Sequence, residues 1–283
     1  NLSKEKIEKK AVIRPQEPKK PYSYYSEEVT FQNNKENISL AGTLTLPKKE
    51  GNYPVVILIS GSGPQNRDEE LVGHKPFLLL SDYFTKNGIA VLRYDDRGVA
   101  QSKGEFKTAT SLDFASDVES AIAYLKTRKE INKNKIGLVG HSEGGIIAPI
   151  VASKSKDVNF IVLLAGVGIP GDQLLLLQQE LISRVSGVNE VDTKNATATM
   201  KRATEIIRKS TNSEQLKTDL TNYIKEHSQG PEESSKEDYI KRQVDQMTSP
   251  WMQYFIKYNP ATLLEKVKCP VLAVNGEKDL QVP

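Results

Sequence analysis

The sequence predicts an α/β fold: a mostly parallel central sheet, an antiparallel hairpin ahead of it, and a helical segment inserted late in the chain. Three observations carry that prediction. Short continuous apolar runs alternate with amphipathic stretches from residue 54 onward. The alternation stops over residues 171–262 and resumes at Val271-Leu272-Ala273-Val274. One run, Ile136-Gly137-Leu138-Val139, leads directly into Gly140-His141-Ser142-Glu143-Gly144 and then Gly145-Ile146-Ile147-Ala148. Strands buried on both faces of a parallel sheet read as such unbroken runs, and their alternation with helices builds right-handed βαβ crossovers.

The elements follow in order. Residues 1–27 are polar and charged, carry Pro15, Pro18 and Pro21, and read as an arm or linker. The core opens at residue 28. Val29-Thr30-Phe31 and Ile38 to Leu46 read as two strands joined by an Asn/Lys/Glu-rich turn. Pro54 to Ile59 is a buried strand that ends in the loop Ser60-Gly61-Ser62-Gly63-Pro64. Pro76 to Lys86 is a helix closed by Asn87-Gly88. Ile89 to Arg93 is the next strand, and Leu112 to Lys126 a helix with Asp113, Asp117 and Glu119 expected on its solvent face. Lys135 to Val139 is a strand. The helix that begins at Glu143 meets Pro149, which is expected to bend or restrict it. Asn159 to Ala165 is a further strand. The predicted core is therefore discontinuous, 28–170 and 263–283. Residues 171–262 form a helical cap, supported by periodic apolar positions such as Ile206, Ile207 and Ile224 and interrupted at Gly230-Pro231.

Bulk properties narrow the class of partner. A net charge of +3 over 283 residues, unclustered, does not imply nucleic acid. No apolar stretch reaches the roughly 18 residues that a membrane helix needs. Cys269 is the only cysteine, and His74, His141 and His227 lack ligand spacing, so neither a disulfide within the chain nor a metal or other cofactor is expected. The expected partner is a small molecule, and the pattern specifies no oligomeric state.

The chemistry sits in three places. A strand, sharp turn and helix around Ser142 would lift its hydroxyl above the end of the sheet as a nucleophile, with glycines two residues to either side where side chains would clash. The backbone N–H of Glu143, at a helix N-terminus, would then face a developing oxyanion. The Gly/Ser loop after a central strand is a second source of uncovered N–H groups. Ser62 is the preferred second oxyanion donor, with Gly61 or Gly63 as alternatives. Asp279 lies in the loop after Val271–Val274, at the sheet edge where parallel α/β proteins place ligand and catalytic groups, and it is the candidate acid, with Glu277 as fallback. Gln65, Arg67 and Asp68 follow the Gly/Ser loop, and Asp95-Asp96-Arg97-Gly98 follows another strand. Pairs Arg67–Asp68 and Asp96–Arg97 are expected to pin these loops. His141 is expected to be structural or to form a wall of the pocket. Trp251, Tyr254, Phe255 and Tyr258 share a helical face that would dock the cap or line the pocket. A histidine should follow the acid, but only Leu280-Gln281-Val282-Pro283 do so. The expectation is that the native chain continues past Pro283 and supplies it, and that the chain as written turns over little.

The segments Gly61 to Glu69, Arg93 to Gly98 and Gly140 to Gly145 resemble the α/β-hydrolase superfamily, and within it the bacterial esterase D-type group and serine aminopeptidase-like hydrolases. The resemblance covers roughly 28–283. It implies a Ser-Asp-His triad without metal, with Ser142 and Asp279 at the matching positions, and a helical cap. The implied activity is that of a serine hydrolase, foremost a carboxylesterase on small or medium acyl esters. A serine aminopeptidase or acylaminoacyl-peptidase type of enzyme, or an inactive binding protein, are the alternatives. Such relatives often carry an export signal. No apolar leader follows Asn1, and the start looks cut, so cytoplasmic and exported locations both stand.

Overall fold

The computed structural model describes residues 14–227 and 233–283. Residues 1–13, and the Gly230-Pro231 break, lie outside that range. Strand β1 (Tyr25–Asn33) pairs antiparallel with β2 (Ile38–Leu46), from Tyr25 opposite Leu46 to Asn33 opposite Ile38. It begins at Tyr25, ahead of the expected boundary at residue 28, because the pairing extends to the last residue of β2. Val29, Phe31 and Asn33 point inward and their neighbours outward, the period of a sheet edge with one solvated face. The described end of the arm is docked: the Arg14 guanidinium donates to the carbonyls of Val72 (2.6 Å) and Gly73 (2.7 Å).

Five more strands complete the sheet: β3 (Tyr53–Ile59), β4 (Ala90–Tyr94), β5 (Ile131–His141), β6 (Val158–Leu164) and β7 (Val271–Val274). Their order is β1-β2-β4-β3-β5-β6-β7. β2 meets β4 antiparallel, and every pair from β4 to β7 is parallel. β3 is central, and Val55 to Ile59 are all buried, as the unbroken apolar run requires. β7 is the outer strand, and Val271, Leu272 and Val274 stay exposed.

Helices α1 (Pro76–Lys86), α2 (Ser111–Thr127) and α3 (Gly144–Ala152) cover the sheet. A capping box of Thr110 and Asp113 starts α2. α3 is buried along its whole length and runs through Pro149 to Ala152. One expectation fails in α2: Asp117 does not face solvent but is 1% exposed. The Arg97 Nε donates to it at 2.8 Å and the Asn33 Nδ2 at 2.7 Å. A buried carboxylate is tolerable only with such partners, and these come from other elements.

Between β6 and β7 every described element is helical: α4 (Gly171–Val185), α5 (Glu190–Lys209), α6 (Ser213–His227), α7 (Glu233–Met247), α8 (Pro250–Lys257) and α9 (Ala261–Leu264). These helices bury a small core of their own, including Ala203, Ile207, Leu216, Leu220, Ile224 and Ile256. α8 joins the two cores, since Ile256 packs into the helical one and Phe255 into the main one.

Candidate active site

The site is built at the carboxyl end of β5. Ser142 adopts φ +51°, the left-handed region. Its N–H donates to the Leu164 carbonyl at the end of β6 (2.9 Å), and its own carbonyl accepts from Gly145 (2.9 Å). A non-glycine residue in this region costs about 1–3 kcal/mol and persists only where its surroundings over-determine it. Here they do. A Cβ on Gly144 would collide with the Ile59 carbonyl of β3, and one on Gly140 with the Gly144 carbonyl. The turn can be this tight only with glycine at both places.

The Gly/Ser loop lies directly over this turn. A Cβ on Gly61 would stand 3.2 Å from Ser142 Cβ and 3.3 Å from His141 Nδ1. The Gly61 N–H donates to Glu69 Oε1 at 2.7 Å, and the same oxygen is 2.7 Å from His141 Nδ1. That carboxylate raises the His141 pKa above its ordinary value, opposed in part by burial. The other end of the loop is tied to Asp96, which accepts from Ser60 Oγ (2.8 Å) and from the Gln65 N–H (3.0 Å). Burial pushes the Asp96 pKa up to about 8, in spite of those two donors. The Gln65 side chain itself reaches back only to the Ser62 carbonyl, at 3.4 Å. Neither the Ser62 N–H nor the Glu143 N–H has an acceptor among the described residues.

The Glu143 side chain turns away from the site into the protein, 4% exposed. Its Oε1 accepts from Ser111 Oγ (2.7 Å) and from Trp251 Nε1 (2.6 Å), and burial raises its pKa. Trp251 stacks on Phe255 with ring centroids 5.2 Å apart. It thus docks α8 against the turn at Ser142.

Arg67 is committed elsewhere. It binds Asp95 (Nη2 to Oδ2, 2.7 Å) and Glu28. The expected pairs Arg67–Asp68 and Asp96–Arg97 do not form: Asp68 pairs with Arg93, and Arg97 with Asp117. Sequence neighbours in a bending loop point to different sides, so each finds its partner on another element.

Asp279 lies in the loop after β7. Its Oδ1 accepts from the N–H groups of Gln281 (2.9 Å) and Val282 (3.0 Å), and its charge contributes to raising His141. It therefore lies at the same end of the sheet as Ser142. Glu277 is exposed. His74 is exposed in a small bridge with Leu71, and His227 stacks on Tyr223 within the helical segment. Ser142, Gly61, His141, Glu143 and Trp251 are thus brought together, Asp279 reaches them through its charge, and Arg67, His74 and His227 do not join. Two residues the sequence reading did not single out are Glu69 and Ser111. Their only signal was a carboxylate near a Gly-rich loop and a serine at a helix start. Among the described residues no group of three or more His, Cys, Asp or Glu could hold a metal ion, and no helix is long and apolar enough to cross a membrane.

The sequence pattern of the X-Pro dipeptidyl-peptidase (S15) family matches residues 36–283, spanning the loop, the turn and Asp279. The chain belongs to this family. Among relatives of this S15-family chain, esterase EstD of Thermotoga maritima is 27% identical over 183 residues, which is 64% of this chain. The match spans 42% of EstD, less than half of that protein's length. A 31.7 kDa protein of Escherichia coli from the traX-finO intergenic region is 23% identical over 257 residues, 89% of this chain and 80% of its own length. Among solved structures, the α/β hydrolase GrgF from Penicillium superposes with a TM-score of 0.55 at 20% identity, covering 92% of this chain and 82% of that one. A Pyrococcus furiosus esterase gives a TM-score of 0.56 at 17% identity, covering 92% and 74%. The S15-family chain has the α/β-hydrolase fold.

Proposed function

We propose that the protein is a carboxylesterase acting on small or medium acyl esters through Ser142. The observation that carries this reading is the left-handed Ser142 beneath Gly61, flanked by the unpaired N–H groups of Ser62 and Glu143. The Ser142 hydroxyl attacks the ester carbonyl as a base takes its proton. The two N–H groups hold the oxyanion, each contributing on the order of 10²–10³ in rate. The alcohol leaves with that proton, and water cleaves the acyl-enzyme. His141 is tied to Glu69, and His74 and His227 lie off the site, so the proposal gives none of these three the role of the base and gives Asp279 the role of orienting it. EstD, named an esterase, supports the choice of substrate class.

The family name points to a second reading, a peptidase that recognises a free α-amino group. Such recognition needs an uncommitted carboxylate near Ser142. Glu69, Glu143 and Asp96 are all buried and already bound to donors of this chain, which favours the ester. The test uses the full-length protein. Fluorophosphonate labelling should place one adduct on Ser142, and p-nitrophenyl butyrate should be cleaved faster than aminoacyl p-nitroanilides. Faster anilide cleavage would favour the peptidase. No adduct on Ser142 would leave a binding protein without catalysis.

A further inference from the structure

We propose that Glu69 is a positioning residue for the oxyanion hole, clamping the Gly/Ser loop onto the nucleophile turn; this rests on the esterase reading above. Glu69 lies outside both segments that it joins. One of its oxygens sits 2.7 Å from the Gly61 N–H and 2.7 Å from His141 Nδ1. The first is the loop, the second the residue before the nucleophile. The carboxylate is 6% exposed, and Glu69 itself holds φ +51°, a conformation a glutamate adopts only under constraint.

Two consequences follow from the geometry. The Gly61 N–H is spent on Glu69 and is not a donor to substrate, which leaves the N–H groups of Ser62 and Gly63 as the open ones of the loop among the described residues, Ser62 being the nearer to the clamp. The Ser62 N–H belongs to the peptide unit that follows Gly61, so anchoring the Gly61 amide on the carboxylate restricts where it can lie. Asp96 grips the two ends of the loop at Ser60 and Gln65, and Gly61, which has no side chain, is held over the turn by Glu69. Oxyanion donors stabilise the transition state only when preorganised at the place where charge develops, so a loop released from Glu69 loses rate rather than substrate affinity. The imidazole contributes a second donor that keeps the carboxylate in place.

The experiment compares Glu69→Ala, Glu69→Gln and Glu69→Asp in the full-length protein, with p-nitrophenyl butyrate kinetics and the NMR titration of His141. Glu69→Ala should lower kcat by about 30-fold with KM within about twofold. Glu69→Gln keeps an acceptor at the same reach and should retain kcat within about threefold, while the His141 pKa falls. Glu69→Asp keeps the charge but withdraws the oxygen by one methylene, and should lose about 10-fold in kcat. This order, reach before charge, is what a merely structural carboxylate would not produce. Should Glu69→Ala fail to fold, Gln against Asp carries the test. A kcat for Glu69→Asp at or above that of Glu69→Gln, or a loss confined to KM, overturns the clamp. If the unmodified protein neither cleaves the ester nor labels at Ser142, the esterase reading fails instead. The clamp is then read from the Gly61 amide resonance, which must shift in Glu69→Ala and stay near its place in Glu69→Gln; an unmoved resonance in Glu69→Ala overturns it.

Discussion

The carboxyl edge of the sheet and the helical segment between β6 and β7 are held together in different ways. At the sheet edge the polar groups are joined across long stretches of chain: Glu69 to His141, Asp96 to Ser60, Arg97 to Asp117, Glu143 to Trp251. In the helical segment several ion pairs are local and exposed, such as Glu180 with Arg184, Glu190 with Lys194 and Arg202 with Glu205. Exposed pairs of that kind contribute about 0–1 kcal/mol each, so the helices rest on their small apolar core. The first region is held by several contacts from different elements at once. The second is a scaffold that stands mainly on burial, with a few links between helices such as Arg208 to Asp172, and α8 joins it to the site.

Four substitutions break or sharpen this contrast. Gly144→Ala should be the most damaging, because its Cβ enters the Ile59 carbonyl on the central strand. A loss of at least about 4 kcal/mol in denaturant unfolding, with all Ser142 labelling gone, is expected from overpacking at so constrained a turn. A loss under about 1 kcal/mol would mean that the sheet edge can yield. Ile207→Ala removes the centre of the helical core and should cost about 3 kcal/mol. That cost should appear as an earlier melting of the helices alone, detected by hydrogen exchange, with the sheet still protected. Uniform loss of protection through both regions would erase the distinction. Trp251→Phe keeps the stacking but strips Glu143 of one donor, at about 1–3 kcal/mol. Because Glu143 follows the proposed nucleophile Ser142, the labelling rate should fall along with stability; unchanged labelling would mean that α8 and the turn are independent.

The smallest effect concerns pH. Asp96 holds its proton in the folded protein up to about pH 8, whereas an unfolded aspartate releases it near pH 4. The folded pKa is the raised one, so the stabilisation is complete below about pH 4 and is lost as pH rises through about 8. Asp96→Asn does not titrate. Its melting temperature relative to the unmodified protein should therefore climb between pH 5 and pH 8. A constant difference across that range would show that Asp96 is already ionised in the folded state.

What the sequence disclosed divides along the same line. Ile38 to Leu46, Val271 to Val274 and the glycine-flanked Ser142 were readable because each is a local pattern: an alternation, an apolar run, a turn that only glycine permits. The partners of Asp117, Arg67 and Asp96 were not, since each is settled by an element far along the chain. Adjacent opposite charges invite a neighbour-to-neighbour pairing that the bent loops do not allow. Glu69 was hidden for the same reason. Nothing within a few residues of it says that its carboxylate will meet residue 141.

The position of the helical segment also bears on how the protein is made. β6 ends at Leu164, and its parallel partner β7 begins only at Val271, roughly a hundred residues later. At a synthesis rate of about 5–20 residues per second, the outer edge of β6 leaves the ribosome roughly 5–20 s before β7 can cover it. During that interval an apolar strand edge is open, and the helices then emerging are the first material available to shield it.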